Sequence, residues 1–369
     1  MTRSVSLGLL LAALGCSSKA PPPSPVQGSA SPPEAETCRP CHAAQVATYV
    51  ETAHANTSAR ATEQTVRGSF ERGRNEVRTR NPALSFLMEK RPEGLFHVSH
   101  DTERGIHRAD RFDVVFGSGR KGQTYLYWRG KELYQLQVSW LRNPDAWFNG
   151  PGYTDGVLDL DRVVMPRCVE CHASAPLPPG ATAGYGLGCA SCHGDGRAHV
   201  EWHKAHSGEK GGGPLLNPAK LERGRAVDGC AFCHSGMRTS LTPPWTWKPG
   251  QLLEQHLGPP APHRNVVDAH GNQVGLLGGS KCFQKSPKMT CSTCHDVHRT
   301  QRDTGELAKA CVGCHPAPKH SDAAITAQPS AGCVECHMPN QPSGLIQLDT
   351  PGGRIAPAYR SHAIGIYRR

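Results

Sequence analysis

The chain has no hydrophobic run long enough to cross a membrane. Its main apolar stretch, residues 7–14, is far short of the ~20 residues a spanning helix needs. Apolar residues are scarce throughout: 37% of 369 positions, 6% aromatic, with a mean hydropathy of −0.49. A chain so lean struggles to fill a core from its side chains alone. No repeat of 20–50 residues fits the whole length, which excludes a solenoid. What the chain has in excess is 16 cysteines and 20 histidines.

The run GLGCASCHGDGRAHVEWH, residues 186–203, shows how they are used. Two cysteines three apart and a histidine directly after them suit a covalent haem, whose two vinyl groups take the thiols and whose iron takes the imidazole. Zinc or a redox dithiol would also accept a single copy. The count decides. Cys-x-x-Cys-His occurs seven times, against roughly 0.04 copies from the product of residue frequencies. In chain order, motif 1 is Cys38, Cys41 and His42, and motif 2 is Cys168, Cys171 and His172. Motif 3 is Cys189, Cys192 and His193, and motif 4 is Cys230, Cys233 and His234. Motif 5 is Cys291, Cys294 and His295, motif 6 is Cys311, Cys314 and His315, and motif 7 is Cys333, Cys336 and His337. Zinc does not demand the histidine at that position every time. The spacing therefore predicts seven covalent haems c, with a zinc or disulfide protein as the alternative from another class.

The beginning of the chain, MTRSVSLGLLLAALGC, has a basic residue, an apolar run and a small residue before Cys16. This predicts a lipoprotein signal peptide over 1–16, with Cys16 lipidated, and an ordinary export signal as the alternative. Ser17 points to an outer-membrane lipoprotein facing the periplasm or cell surface. Residues 17–37 read as a Pro/Ser-rich tether. Next come a first haem segment over 38–83 and a β-rich insert over 84–165. A six-haem domain with a basic C-terminal tail fills 166–369. In the insert, GLFHVSH, RFDVVFGSG and QTYLYWRGKELYQLQVSWL read as three or four strands, with a hairpin at Arg129–Lys131. Trp140, Trp147, Tyr125 and Tyr153 read as its core. His97, His100 and His107 read as ordinary strand residues. The fold expected is mainly α and irregular, packed around haems, with an inserted antiparallel β module.

The formal net charge of +10 suggests nucleic acid or acidic lipid. Each haem adds about −1 once its propionates ionise, which brings the holoprotein to roughly +3. Many arginines and lysines then read as propionate partners, and no nucleic-acid partner is expected.

Thirteen histidines lie outside the motifs. His54 stands twelve residues after His42, about 18 Å along a helix, so the two cannot clasp one haem. His199, His298 and His320 follow their motif histidines too closely to reach the opposite face of the same porphyrin. Each of these, if it binds iron, reaches a neighbouring haem. His362 is the ligand candidate of the tail. His256, His263 and His270 compete for the seventh place. Methionine, the other common sixth ligand, numbers only 6, so mostly bis-histidine haems of low potential are expected. Cys282 has no disulfide partner left and reads as an inert thiol.

CRPCHAAQVATYVETAHA, GCASCHGDGRAHV, MTCSTCHDVHR and CVECHMP resemble the exported multihaem c-type cytochromes that include the tetrahaem cytochrome of ammonia oxidisers. More distantly they resemble the pentahaem nitrite reductases and octahaem hydroxylamine oxidoreductases. The resemblance covers residues 38–340 in patches and implies His54 and His199 as distal ligands. Two marks of the enzymes are missing: a Cys-x-x-Cys-Lys motif and a motif with a crosslinking tyrosine. The function expected is therefore electron relay between redox protein partners, with the membrane reached through a lipid anchor. The alternative is a multihaem reductase of small nitrogen or sulfur oxyanions with one open haem.

Overall fold

A computed structural model describes residues 35–209, 211, 213–260, 266–267, 271–320 and 332–367. Helix α1 (Ala35–Tyr49) opens them and bends at His42, two residues after Pro40. Strands β1 (Ser58–Arg60) to β9 (Ala146–Asn149) follow, then a run of short helices. Two antiparallel sheets carry the strands. One has the order β1-β6-β7-β8-β9; the other has the order β2-β3-β4-β5. Here β2 is Glu76–Arg78, β3 Leu84–Arg91, β4 Gly94–Asp101 and β5 Ile106–Arg111; β6 is Val114–Phe116, β7 Gly122–Arg129 and β8 Glu132–Leu141. The β7–β8 hairpin pairs Arg129 with Glu132 and turns through Gly130 at φ +64°, a left-handed position that glycine adopts without strain.

One apolar cluster is shared by both sheets. Leu84, Phe86 and Met88 of β3 meet Tyr125 of β7, Leu136, Val138 and Trp140 of β8 and Trp147 of β9. Tyr153 is buried as well, its hydroxyl donating to the Gln135 carbonyl. A second cluster joins Val114, Phe116, Leu126 and Leu133 to Val169, Ala173 and Leu177. Strand β8 is buried along most of its length because it contributes to both clusters. The β module thus rests directly on the motif 2 segment.

The expectation of a mainly helical and irregular chain is corrected. Among the described residues helix accounts for 27% and strand for 23%, in four antiparallel sheets. Two physical reasons explain the difference. The motifs need little helix: α2 (Pro166–His172), α3 (Ala190–His193) and α9 (Cys333–His337) have only 7, 4 and 5 residues. Strand also extends beyond the stretches that alternate visibly. β1 and β2 lie ahead of residue 84, and the tail forms β10 (Asn340–Pro342), β11 (Leu348–Thr350), β12 (Gly353–Ile355) and β13 (Ala358–Arg360). β10 pairs with β13 and β11 with β12. Strands of three residues leave no period to read, and the partner of β1 is β6, far along the chain.

Many arginines of the β module are already engaged. Arg80 bridges Asp155 and Asp349, Arg108 meets Asp110, and Arg111 meets Asp113. This narrows the propionate reading to basic residues elsewhere. Among the described residues no helix is long and apolar enough to cross a membrane.

Candidate functional site

The seven motifs share a local geometry. The amides of His193, His295 and His315 each donate to the carbonyl of the first cysteine of their motif, at 3.0, 3.0 and 2.8 Å. That closes one helical turn and sets thiols three apart on one face. Motif 1 lies on α1, motif 2 on α2, motif 3 on α3, motif 4 at the end of α5 (Arg223–His234), and motif 7 on α9. Motif 6 ends α8 (Thr304–Cys314), which starts with the Asp303 side chain accepting from the Gly305 amide. Motif 5 starts on a 3-10 turn, Cys291–Thr293. No disulfide joins cysteines among the described residues.

Five motif histidines face a second imidazole that comes from another part of the chain. His42 faces His199, with ring centres 6.4 Å apart and planes at 21°. His193 faces His298 at 6.1 Å, and His234 faces His54 at 6.0 Å. His295 faces His362 at 6.1 Å, and His337 faces His320 at 6.3 Å. At these separations the facing ring nitrogens stay too far apart to hydrogen-bond each other. The separations match two imidazoles on opposite sides of one metal: with nitrogens ~2.0 Å from the metal and ring centres ~1.1 Å further out, the centres stand roughly 6.2 Å apart. A porphyrin leaves just these two positions to the protein. Among the described residues no group of three or more His, Cys, Asp or Glu comes together as a zinc ion would ask.

The other ring nitrogen is held at several motifs. His193 Nδ1 is 2.9 Å from the Leu216 carbonyl, and His337 Nδ1 is 2.7 Å from the Gly365 carbonyl. His172 Nδ1 lies 3.0 Å from Thr57 Oγ1 and 3.1 Å from the Thr57 carbonyl. An Nδ1–H given to a carbonyl leaves Nε2 as the lone-pair donor, the tautomer a metal needs. Burial favours the neutral form further. It pushes His234 down to about 4, helped by His54, and His362 down to about 4, helped by His295. His54 and His295 are lowered by the same cause.

The elements around these pairs explain why they form. The His54 carbonyl accepts from the Leu187 amide at 2.9 Å, and Gly186 N donates to Ser58 Oγ. Gly186 has φ +64°, and a Cβ there would stand 2.0 Å from the Ala55 carbonyl oxygen. Only glycine lets the chain before motif 3 press against the turn that carries His54. The tail is pinned by Ser280, whose hydroxyl donates to the His362 carbonyl and accepts from the Ile364 amide. So one short tail segment supplies His362 opposite His295 and the Gly365 carbonyl to His337.

Thiols of different motifs also meet. Cys38 lies beside Cys189, Cys171 beside Cys233, and Cys230 beside Cys291. Cys294 and Cys311 are close enough to interact electrostatically, as are Cys311 and Cys333. Cys282, on α7 (Lys281–Lys285), is half-buried near Cys294 and Cys311.

The remaining histidines fall elsewhere. The Phe116 ring lies flat on His172, 4.5 Å away at 6°. His256 Nδ1 is 3.0 Å from Thr242 Oγ1, beside a small cavity lined by Glu170, Phe232 and Trp247. His203 packs on His199 and Trp202. Among the described residues no second imidazole faces His315. His263, His270 and Cys16 lie outside the described residues. Sequence reasoning missed Thr57, Phe116 and the two carbonyl partners; a backbone carbonyl leaves no mark in a sequence, and Thr57 looks like any turn residue.

No family model matches the chain, and no curated protein matches it. It is similar in fold to the crystal structure of the outer cell wall cytochrome OcwA. The TM-score is 0.57 at 16% sequence identity, over 90% of this chain and 79% of that one.

Proposed function

We propose that the chain is an exported multihaem c-type cytochrome that carries seven covalent haems and relays electrons between protein partners. The observation that carries this reading is the set of five imidazole pairs, 6.0–6.4 Å apart, each joining one motif to another segment. The fold likeness to a cytochrome supports it. The finer resemblance to the tetrahaem cytochromes of ammonia oxidisers rests on the quoted motifs alone.

The motif cysteines would hold the groups covalently, and each motif histidine would be one of the two protein ligands to the iron. His199, His298, His54, His362 and His320 would be the second ligands at motifs 1, 3, 4, 5 and 7. Bound haem supplies reversible one-electron chemistry. The protein's part is to fix spacing. The segment that anchors motif 3 ligates motif 1 through His199; that of motif 5 ligates motif 3 through His298; that of motif 6 ligates motif 7 through His320. With the neighbouring thiols, every motif is tied to at least one other, as a relay requires. The path runs from motif 2 through 4, 5 and 6 to 7, with motifs 1 and 3 beside 4 and 5. Cys16 is the proposed lipid anchor, and Ser17 after it supports an outer-membrane location facing the periplasm or cell surface. Its partners are redox proteins rather than nucleic acid.

One observation favours the second reading, a reductase of small nitrogen or sulfur oxyanions: His315 has no facing imidazole among the described residues. Steady-state assays of the holoprotein with nitrite, hydroxylamine and tetrathionate separate the two. The relay reading expects rapid electron exchange and little turnover. Turnover at ordinary enzyme rates of ~1–10³ per second overturns it.

A further inference from the structure

The two histidines His100 and His107 take no part in the imidazole pairs above. They are direct cross-strand partners on β4 and β5, at the edge of the four-stranded sheet. On β4, His97 and Ser99 point into the core, and His100 is half-buried on the opposite face, which it shares with the buried Val98, beside Ser85 of β3. His107 is exposed. Their rings stand 4.4 Å apart at 70°, and the two Nδ1 atoms are 3.1 Å apart.

We propose that His100 and His107 form a surface chelate for a late first-row divalent cation, copper(II) above all. Geometry carries the assignment. Two nitrogens 3.1 Å apart, each ~2.05 Å from one metal, subtend roughly 98° there. That lies between the ~90° of a tetragonal copper site and the ~109° of a tetrahedral zinc site. The sheet fixes the bite before the ion arrives, because backbone pairing sets the Cβ atoms opposite each other. Without metal, one Nδ1 carries a proton and donates it to the other. Binding asks that this proton move to Nε2 of the same ring and that the two rings turn until both Nδ1 lone pairs face the ion. Imidazole suits copper, nickel and zinc, and among these copper(II) binds tightest to a given nitrogen set. Among the described residues no third His, Cys, Asp or Glu completes a group with them. Water fills the remaining positions, and the ion stays exchangeable.

Copper(II) titration of the ferric holoprotein, followed by calorimetry and by copper EPR, tests this. The tightest site should bind one ion per chain with a two-nitrogen hyperfine pattern. His107→Ala and His100→Ala should each weaken that site by more than about 100-fold, beyond the 10–100-fold that outer-shell changes cost. Unchanged affinity in either variant overturns the chelate, as does a tightest site with a different nitrogen count. Thermal melts of both variants check that the exposed edge still folds. Neither histidine belongs to a motif pair, so failure here leaves the haem reading untouched.

Discussion

His298→Ala offers a sharp perturbation of the proposed centre. His298 faces His193 across 6.1 Å, and its side chain is 45% exposed. Its backbone amide, which donates to Asp296 Oδ1 at 3.0 Å, survives the change. The structural cost should therefore stay near the ~0.5 kcal/mol typical of surface positions. The chemical cost is much larger. On the side of motif 3 opposite His193, an imidazole is replaced by a methyl group and a gap that water or a small ligand can enter. One haem in seven, about 14% of the iron, should turn high-spin. The reduced variant should take up one more carbon monoxide per chain than wild type. Ferric EPR with integrated spins and a carbon monoxide titration measure both. Equal spin counts and equal uptake in the two proteins would refute the pairing of His298 with motif 3.

Other outcomes follow from other parts of the molecule. Gly186→Ala forces a Cβ to within 2.0 Å of the Ala55 carbonyl at φ +64°. It should cost more than the ~1–3 kcal/mol of backbone strain alone, and should displace His54, giving a high-spin signal at motif 4 where a mere loss of stability gives none. His97 is fully buried on Phe86 with neither ring nitrogen hydrogen-bonded, and burial lowers it to about 3. Its neutral form is the folded one, so stability present above about pH 6.5 drains away as pH falls toward 3. His97→Leu should raise stability at neutral pH by about 1–3 kcal/mol and flatten that acid limb in urea unfolding; a loss of stability with the same pH slope contradicts the assignment. Cys16→Ser should move the protein from the membrane to the soluble fraction or stall its processing, and an unchanged distribution removes the lipid anchor.

Legibility in the sequence followed how local each feature is. Each motif lies within five consecutive residues and folds as one turn, so its chemistry can be read without a structure. The hairpin at Gly130 is equally local. Spacing could say that His199 and His298 cannot serve their own motif's iron. It could not say which motif each one faces, because that depends on how distant segments dock. The placement of His54 depends on a glycine 132 residues further on, and that of His362 on Ser280. The balance of helix and strand was misjudged for a related reason. Motif turns resemble helix starts in sequence, yet the chain leaves the helix at the motif histidine in α2, α3, α5 and α9. A strand such as β1 is held by a partner far along the chain, β6, rather than by any pattern of its own.

The most direct measurement is diffraction from the holoprotein at the iron absorption edge. Seven iron peaks per chain are expected. Five of them should lie midway between His42 and His199, His193 and His298, His234 and His54, His295 and His362, and His337 and His320, about 3 Å from each ring centre. Fewer than seven peaks, or imidazole pairs with no iron between them, would contradict the haem reading.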